Sequence, residues 1–552
     1  MEIGIALAAA AMLVVAGAAA LGPRLGIPAP LILVVLGVVV SLFGVGVTAL
    51  PPELVLAGVL PPLLYASSVS LPAMDLRREF GTVSILSVVL VVVSALLLGG
   101  LFTLLIPGLP YAWGVALGAV VSPTDAVATS IVKGTPVSHR VTAILEGESL
   151  LNDASALVIL RAAIAGAAGA VSFGGVVLQF AWAVLGAVVI GAVVGRLSLW
   201  LRARITDPTV STVLSFTVPF VASLPAEGLR ASGLVAAVAA GLVVGRRAPR
   251  VLSPRTRQND ANNWSSVSLV LEGAVFLLMG LQIAGIVDAA GGAATVGTAL
   301  GLAAVAVVGT LVVRTAFVAP LLGLLAVNAR RGPESRQRVE RMQRQLESGE
   351  PVVVRTPLGR ERRFDEPRGP GRRPFDRQGF QRRITQVLAD IDYLASSRLG
   401  PKEGAVIVWA GMRGAVTVAA AQTIPEAAAG LTEDVRNLLV LVAFGTAALS
   451  LLLQGGTLAV LIRRLRPATD DPAQLDQERR KVLQLAKDAA AAVPAREGES
   501  PKQDRLRRLQ ASRAALLDAR DLGVYDSAVL GHVLATVDSG QITLEMQGGP
   551  AG

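Results

Sequence analysis

The run LEGESLLNDASALV at positions 145–158 sets Glu148, Ser149, Asn152 and Asp153 inside a stretch that otherwise reads as a membrane-spanning helix. Glu148 and Asn152 are four residues apart, as are Ser149 and Asp153, so helical geometry predicts that the four share one face about a turn and a half long. An ionisable side chain at membrane depth costs roughly 3 kcal/mol or more to insert, so it faces a water-filled cavity or a charged partner and marks an ion path. These residues point to a membrane protein that handles cations.

Two further apolar stretches are interrupted. VSPTDAVAT places Pro123, Thr124 and Asp125 in the middle of one, and WAGMRGAVTVAAA places Gly411, Arg413 and Gly414 in another. Proline removes a backbone donor and paired glycines loosen a helix, so each stretch is expected to unwind into two half-helices whose ends meet at midplane. Half-helix ends carry partial charges, which Asp125 would offset at the positive ends and Arg413 at the negative ones.

The elements that must position these groups follow from composition. With 53% hydrophobic and 16% charged residues over 552 positions and a mean hydropathy of +0.61, the chain reads as an all-α polytopic membrane protein. Apolar stretches at 4–22, 28–44, 54–71, 83–106, 112–131, 142–169, 174–202, 209–224, 231–245, 265–286, 294–327, 403–424 and 437–462 give about thirteen spans. The interrupted ones are the fifth and the twelfth. With the seventh as a linker they occupy corresponding places in two halves, the strongest sequence pointer to a transporter's site.

Loops after odd-numbered spans hold Arg24, Arg77, Arg78, Lys133, Arg140, Arg204, Arg246, Arg247, Arg250, Arg255 and Arg257, whereas the others offer little beyond Arg230 and Arg436. The positive-inside rule then sets the N-terminus outside and the C-terminus in the cytoplasm. No basic segment precedes the first apolar run, which reads as a retained span rather than a cleaved signal. Residues 1–327 thus hold spans 1–11, 328–402 a basic cytoplasmic loop, 403–464 spans 12 and 13, and 465–552 a small helical cytoplasmic tail. The loop carries 17 Arg and 1 Lys against 10 acidic residues among scattered Pro and Gly, the composition of a mobile linker that anionic membrane lipids can attract. The tail has helical stretches such as DQERRKVLQLAKDAAAA and a capped piece starting near Asp526. Heavy Arg, Ala and Gly usage with only five Lys has the character of a GC-rich bacterial genome, which implies a plasma-membrane location.

Composition also excludes. The basic excess sits in loops of a membrane protein without aromatic interleaving, so nucleic acid is not the partner. The absence of Cys removes thiol chemistry, and His139 and His532 are too far apart for a zinc site. An intramembrane hydrolase needs a base beside its nucleophile, and Ser149 has no His or Lys near it in sequence. A cation channel would use the same polar residues, yet no repeated filter is present.

Taken together, SPTDAVAT, LEGESLLNDASALV, ASGLVAAVAAGLVVG at 231–245, FLLMGLQI at 276–283, WAGMRGAV and LLLQGGTLAVLIRRL resemble the monovalent cation/proton antiporters of the Na+/H+ exchanger type, over essentially all of 1–466. The resemblance implies thirteen spans as two inverted six-helix repeats with crossed discontinuous helices, and a homodimer. It implies no enzyme activity and no cofactor beyond the transported Na+ or K+ and H+. Asp153 would be the carboxylate that binds either Na+ or H+, beside Asn152. Ser149 and the Thr124 carbonyl would supply oxygen ligands, and Asp125 would act through water or electrostatics. Glu148 would pair with Arg314 in the eleventh span, and these two with Arg413 would support the site rather than bind the ion.

One position departs from the pattern. Many relatives carry an acidic residue after the aromatic of the third span, where this chain has Ala66 followed by Ser67 and Ser68. That leaves K+/H+ exchange as open as Na+/H+ exchange. Glu272 in the tenth span is a further buried acid, read as a packing or interface contact. A single exchanging carboxylate beside an asparagine predicts one proton per cation and no net charge movement.

Overall fold

The computed structural model describes residues 2–43, 54–167, 173–289, 293–330, 332–348, 353–355, 361–363, 377–397, 399–425 and 430–547. Two units emerge, Met1–Ala319 with Pro401–Thr469 and Pro320–Gly400 with Asp470–Gly552. The helices are α1 Glu2–Leu25, α2 Ala29–Leu42, α3 Val55–Ser70, α4 Ala73–Leu105, α5 Tyr111–Val121, α6 Val127–Lys133, α7 His139–Ala167, α8 Phe173–Arg202, α9 Pro208–Gly228, α10 Gly233–Val251, α11 Pro254–Leu281, α12 Ile283–Ala289, α13 Ala293–Arg330, α14 Gly332–Glu347, α15 Arg377–Ser396, α16 Pro401–Trp409, α17 Ala415–Gln422, α18 Glu433–Leu465, α19 Pro472–Ala491, α20 Pro501–Leu522 and α21 Ser527–Met546.

Eight of the described helical stretches are long and apolar enough to cross a membrane, and α2, α3 and α5 are shorter apolar helices. The all-helical, multi-pass class expected from the sequence is the class observed. Helical segments fall within each stretch read as a span, with a difference of extent at the fourth. The fourth begins ten residues before its apolar run, because Asp75 and Glu79 on the first turns of α4 are buried against His139 at 2.9 Å and Arg140 at 2.7 Å. A hydropathy reading stops at those charges; ion pairing lets the helix continue through them.

Small residues set the helix spacing in the first unit. A Cβ on Gly118 of α5 would overlap the Ala95 carbonyl of α4, and one on Gly280 of α11 would overlap the Val34 carbonyl of α2. Such close approach is how membrane helices gain packing without a hydrophobic drive between them. Phe102, Trp113, Leu117, Leu157, Leu160, Leu439 and Val442 fill the core around α5 and α7.

In the second unit α19, α20 and α21 enclose Val482, Ala486, Leu516, Ala519, Leu530 and Val533. Asp526 caps α21 by accepting from the Ala528 and Val529 amides at 2.9 and 3.2 Å. The stretch read as a mobile linker contains α14 and α15, joined by Arg336 and Asp392 at 2.9 Å, and a short ladder pairing Val353–Arg355 with Glu361–Arg363. Its arginine content conceals a helical stripe around the buried Ile384. Gln386 of α15 donates to the Asp521 carbonyl in the last turn of α20 at 2.7 Å.

Gly118→Val is expected to destabilise the first unit by about 1–3 kcal/mol, the usual result of overfilling a tight contact, read as a lower melting temperature in detergent. An unchanged melting temperature would show that α4 and α5 have slack the structure does not display.

Candidate functional site

Both interrupted spans are broken. α5 ends at Val121 before α6 starts at Val127, and α16 ends at Trp409 before α17 starts at Ala415. Pro123 cannot donate and disfavours helical geometry in the residue before it, which sets the first break. The two breaks bond to each other. The Asp125 amide donates to the Met412 carbonyl at 2.8 Å, and Arg413 Nε donates to the Val121 carbonyl at 2.7 Å. Arg413 Nη1 also donates to the Gly411 carbonyl, and the Arg413 amide to Ser450 Oγ at 2.9 Å.

Arg413 therefore serves the carbonyl end of α5, while Asp125 Oδ1 accepts from the Val127 amide at the start of α6 at 2.8 Å. A Cβ on Gly414 would occupy the space of the Asp125 carboxylate, so glycine is required where that carboxylate abuts the start of α17. Negative charge near amide ends and positive charge near carbonyl ends is the favourable sense for helix dipoles.

A second brace lies beside the crossing. Arg314 of α13 holds Glu148 of α7 at two points, Nη2 to Oε2 being 2.8 Å, and its Nε and Nη2 donate to the Ile407 carbonyl of α16 at 3.1 and 3.0 Å. Glu148 and Arg314 are 1% and 3% exposed. Glu148 Oε1 also accepts from Thr124 Oγ1 at 3.2 Å, and Asn152 Nδ2 donates to Thr124 Oγ1 and O at 2.6 and 3.2 Å. Among the described residues the buried Asn152 Oδ1 has no hydrogen-bond partner.

On the other side of α7 lies a cavity of about 240 Å³, walled by Ser149 and Asp153 of α7, Asp125 in the first break, Thr129 and Ser130 of α6, and Glu272 of α11. Ser149 Oγ donates to the Glu146 carbonyl of its own helix at 3.2 Å. Asp153 and Glu272 make no hydrogen bond or ion pair among the described residues. The α7 signature thus splits into two stripes. Glu148 and Asn152 face the protein and Ser149 and Asp153 face the cavity, because adjacent residues are about 100° apart on a helix. Thr124 stands with Asn152 behind the cavity wall. Sequence reading passed over Glu146, which pairs with Lys133 on the cavity lining, and gave Glu272 no part. The signal for Glu272 was its charge in an apolar span.

A family model described as sodium/hydrogen exchanger, transmembrane, matches residues 9–346. The chain belongs to the sodium/hydrogen exchanger family. The chain is 37% identical over 281 residues to an Escherichia coli protein named as the uncharacterized Na+/H+ exchanger YjcE, covering 48% of this chain and 50% of that one. It is 28% identical over 545 residues to a Mycobacterium tuberculosis protein named as an uncharacterized Na+/H+ exchanger, covering 96% and 88% of the two chains. A Bacillus subtilis protein named sodium, potassium, lithium and rubidium/H+ antiporter is 32% identical over 272 residues, 48% of this chain and 41% of its own. The chain spans about half the length of the E. coli relative. Among solved structures, the sodium proton antiporter MjNhaP1 from Methanocaldococcus jannaschii at pH 8 superposes with a TM-score of 0.58 at 17% identity, over 84% of this chain and 99% of that chain, a likeness of fold. Among the described residues no group of three or more His, Asp or Glu side chains is placed to hold a resident metal ion.

Arg314→Met would leave Glu148 buried without its partner and is expected to destabilise the protein by roughly 3–5 kcal/mol, read by thermal unfolding in detergent. Combining it with Glu148→Gln should recover part of that loss. A double variant no more stable than the single one would mean that the pair's charges do not depend on each other.

Proposed function

We propose that the exchanger is a secondary active antiporter that trades Na+, and Li+ with it, for H+. The observation that carries this reading is Asp153, a carboxylate within a membrane helix that lines a cavity and has no hydrogen bond or ion pair among the described residues. The lining adds three more acids, Asp125, Glu146 and Glu272, against the single cation Lys133, an electrostatic setting that concentrates cations. Na+ at this place would take oxygen ligands from Asp153 and Ser149, with Asp125 acting through water or its charge. The Thr124 carbonyl and Asn152, whose Oδ1 is free, stand one layer behind as further oxygen donors for a hard ion.

A carboxylate at such depth is stabilised by whichever cation neutralises it, so Na+ and H+ exclude each other at Asp153. If the core changes its access only when Asp153 carries one of them, the downhill flux of either ion drives the other uphill, one for one and without net charge. Glu148, Arg314 and Arg413 hold the frame. In this reading the exchanger sits in a bacterial plasma membrane as a homodimer among membrane lipids, N-terminus outside. The loop 328–402 and the tail 465–552 are then cytoplasmic. A second reading, K+/H+ exchange, is favoured by the B. subtilis relative, whose name includes potassium.

Proteoliposomes with an imposed pH gradient, pulsed with Na+, K+ or Li+, test the proposal. Competition at one carboxylate predicts that the apparent KM for the cation rises as pH falls while the maximal rate at saturating cation is kept. The cation ranking decides between Na+ and K+, and a membrane potential should not change the rate. A KM independent of pH, or a voltage-dependent current, would contradict single-site electroneutral exchange.

A further inference from the structure

We infer that Glu272 is the carboxylate through which a cation passes into the Asp153 cavity from a second, larger one, an inference that rests on the antiport reading. The larger cavity, about 570 Å³, is lined by Tyr65, Arg202, Asp260 and Trp264 among others. Ser67, Ser70, Ser268 and Glu272 line both cavities and so form their common rim.

The charges change across that rim. In the larger cavity Arg202 and Arg257 balance Asp260 and Glu272, and Arg202 is tied to Asp260 and to Ser211 Oγ at 2.9 Å. In the smaller one, four acids face one lysine. A cation moving toward Asp153 therefore gains favourable potential at Glu272 first.

The rim also has the right ligand chemistry. Ser67 Oγ donates to the Leu63 carbonyl at 3.1 Å and Ser70 Oγ to the Ser67 carbonyl at 2.9 Å, so both hydroxyl protons are committed to the helix and the oxygens are left as acceptors. Two such oxygens and an unpaired carboxylate on one rim suit a hard cation shedding part of its water. A purely structural Glu272 would need a donor, and the described residues supply none.

The test compares Glu272→Gln with wild type in proteoliposomes. The apparent KM for Na+ should rise roughly three- to tenfold, with the maximal rate within about twofold of wild type. Impermeant choline chloride should shrink the KM difference, because salt screens a charge effect and leaves a packing defect untouched. Glu272→Asp should return KM toward wild type. A wild-type KM in Glu272→Gln, a lost maximal rate at unchanged KM, or a shift indifferent to salt would overturn the inference while leaving antiport standing. Absence of cation-dependent proton flux in the wild type would overturn both. Should Glu272→Gln not fold, Ser268→Cys puts a single thiol at the rim of a chain that has no cysteine. A cationic thiosulfonate should inhibit it and Na+ should slow the reaction. No inhibition, or no protection by Na+, would equally overturn the inference.

Discussion

A helix broken inside a membrane strands amides and carbonyls where no water reaches them, and each stranded group costs several kcal/mol unless the protein answers it. Here two breaks answer each other. The Asp125 amide bonds the Met412 carbonyl and Arg413 bonds the Val121 carbonyl, so neither break is satisfied without its partner. Everything else at the site depends on this mutual closure. It fixes Asp125 beside the start of α17, requires glycine at 414, and leaves room on one side for a cavity.

The helix that supplies Asp153 is held from the opposite side. Glu148 and Asn152 tie α7 to α13 and to the first break through Arg314 and Thr124, while Ser149 and Asp153, one residue further on in each case, look into the cavity. One helix thus carries a stripe bonded to protein through Glu148 and the Asn152 amide nitrogen, and a stripe whose carboxylate has no hydrogen bond or ion pair among the described residues. In the proposed mechanism that division would let a charge be exchanged at Asp153 without the loss of the contacts that hold α7. It is also why Asn152, though adjacent to Asp153, reads as a positioning group with one spare oxygen.

Much of this was legible in the residues. Pro123 and the Gly411–Gly414 stretch announced the breaks, because their backbone limits are local, and charges at 148, 153 and 413 stood out against apolar surroundings. Which charges would meet was less legible. Glu148 and Arg314 are 166 positions apart, and only the resemblance to exchangers paired them. The split of the α7 signature was missed because spacing by four groups residues into stripes without saying which stripe faces protein. Glu272 was read as a packing or interface contact since one acid in an apolar span does not reveal the cavity behind it. The helices within 328–402 escaped notice because arginine and proline content outweighed the spacing around Ile384.

The most direct test of the role of Asp153 is proton flux driven by a cation pulse in proteoliposomes containing Asp153→Asn, measured beside wild type at equal reconstitution. If this carboxylate carries both ions, the wild type dissipates a pH gradient on addition of Na+ and the variant, which can hold neither ion by charge, does not. Cation-driven flux in Asp153→Asn at the wild-type rate would place the exchange elsewhere.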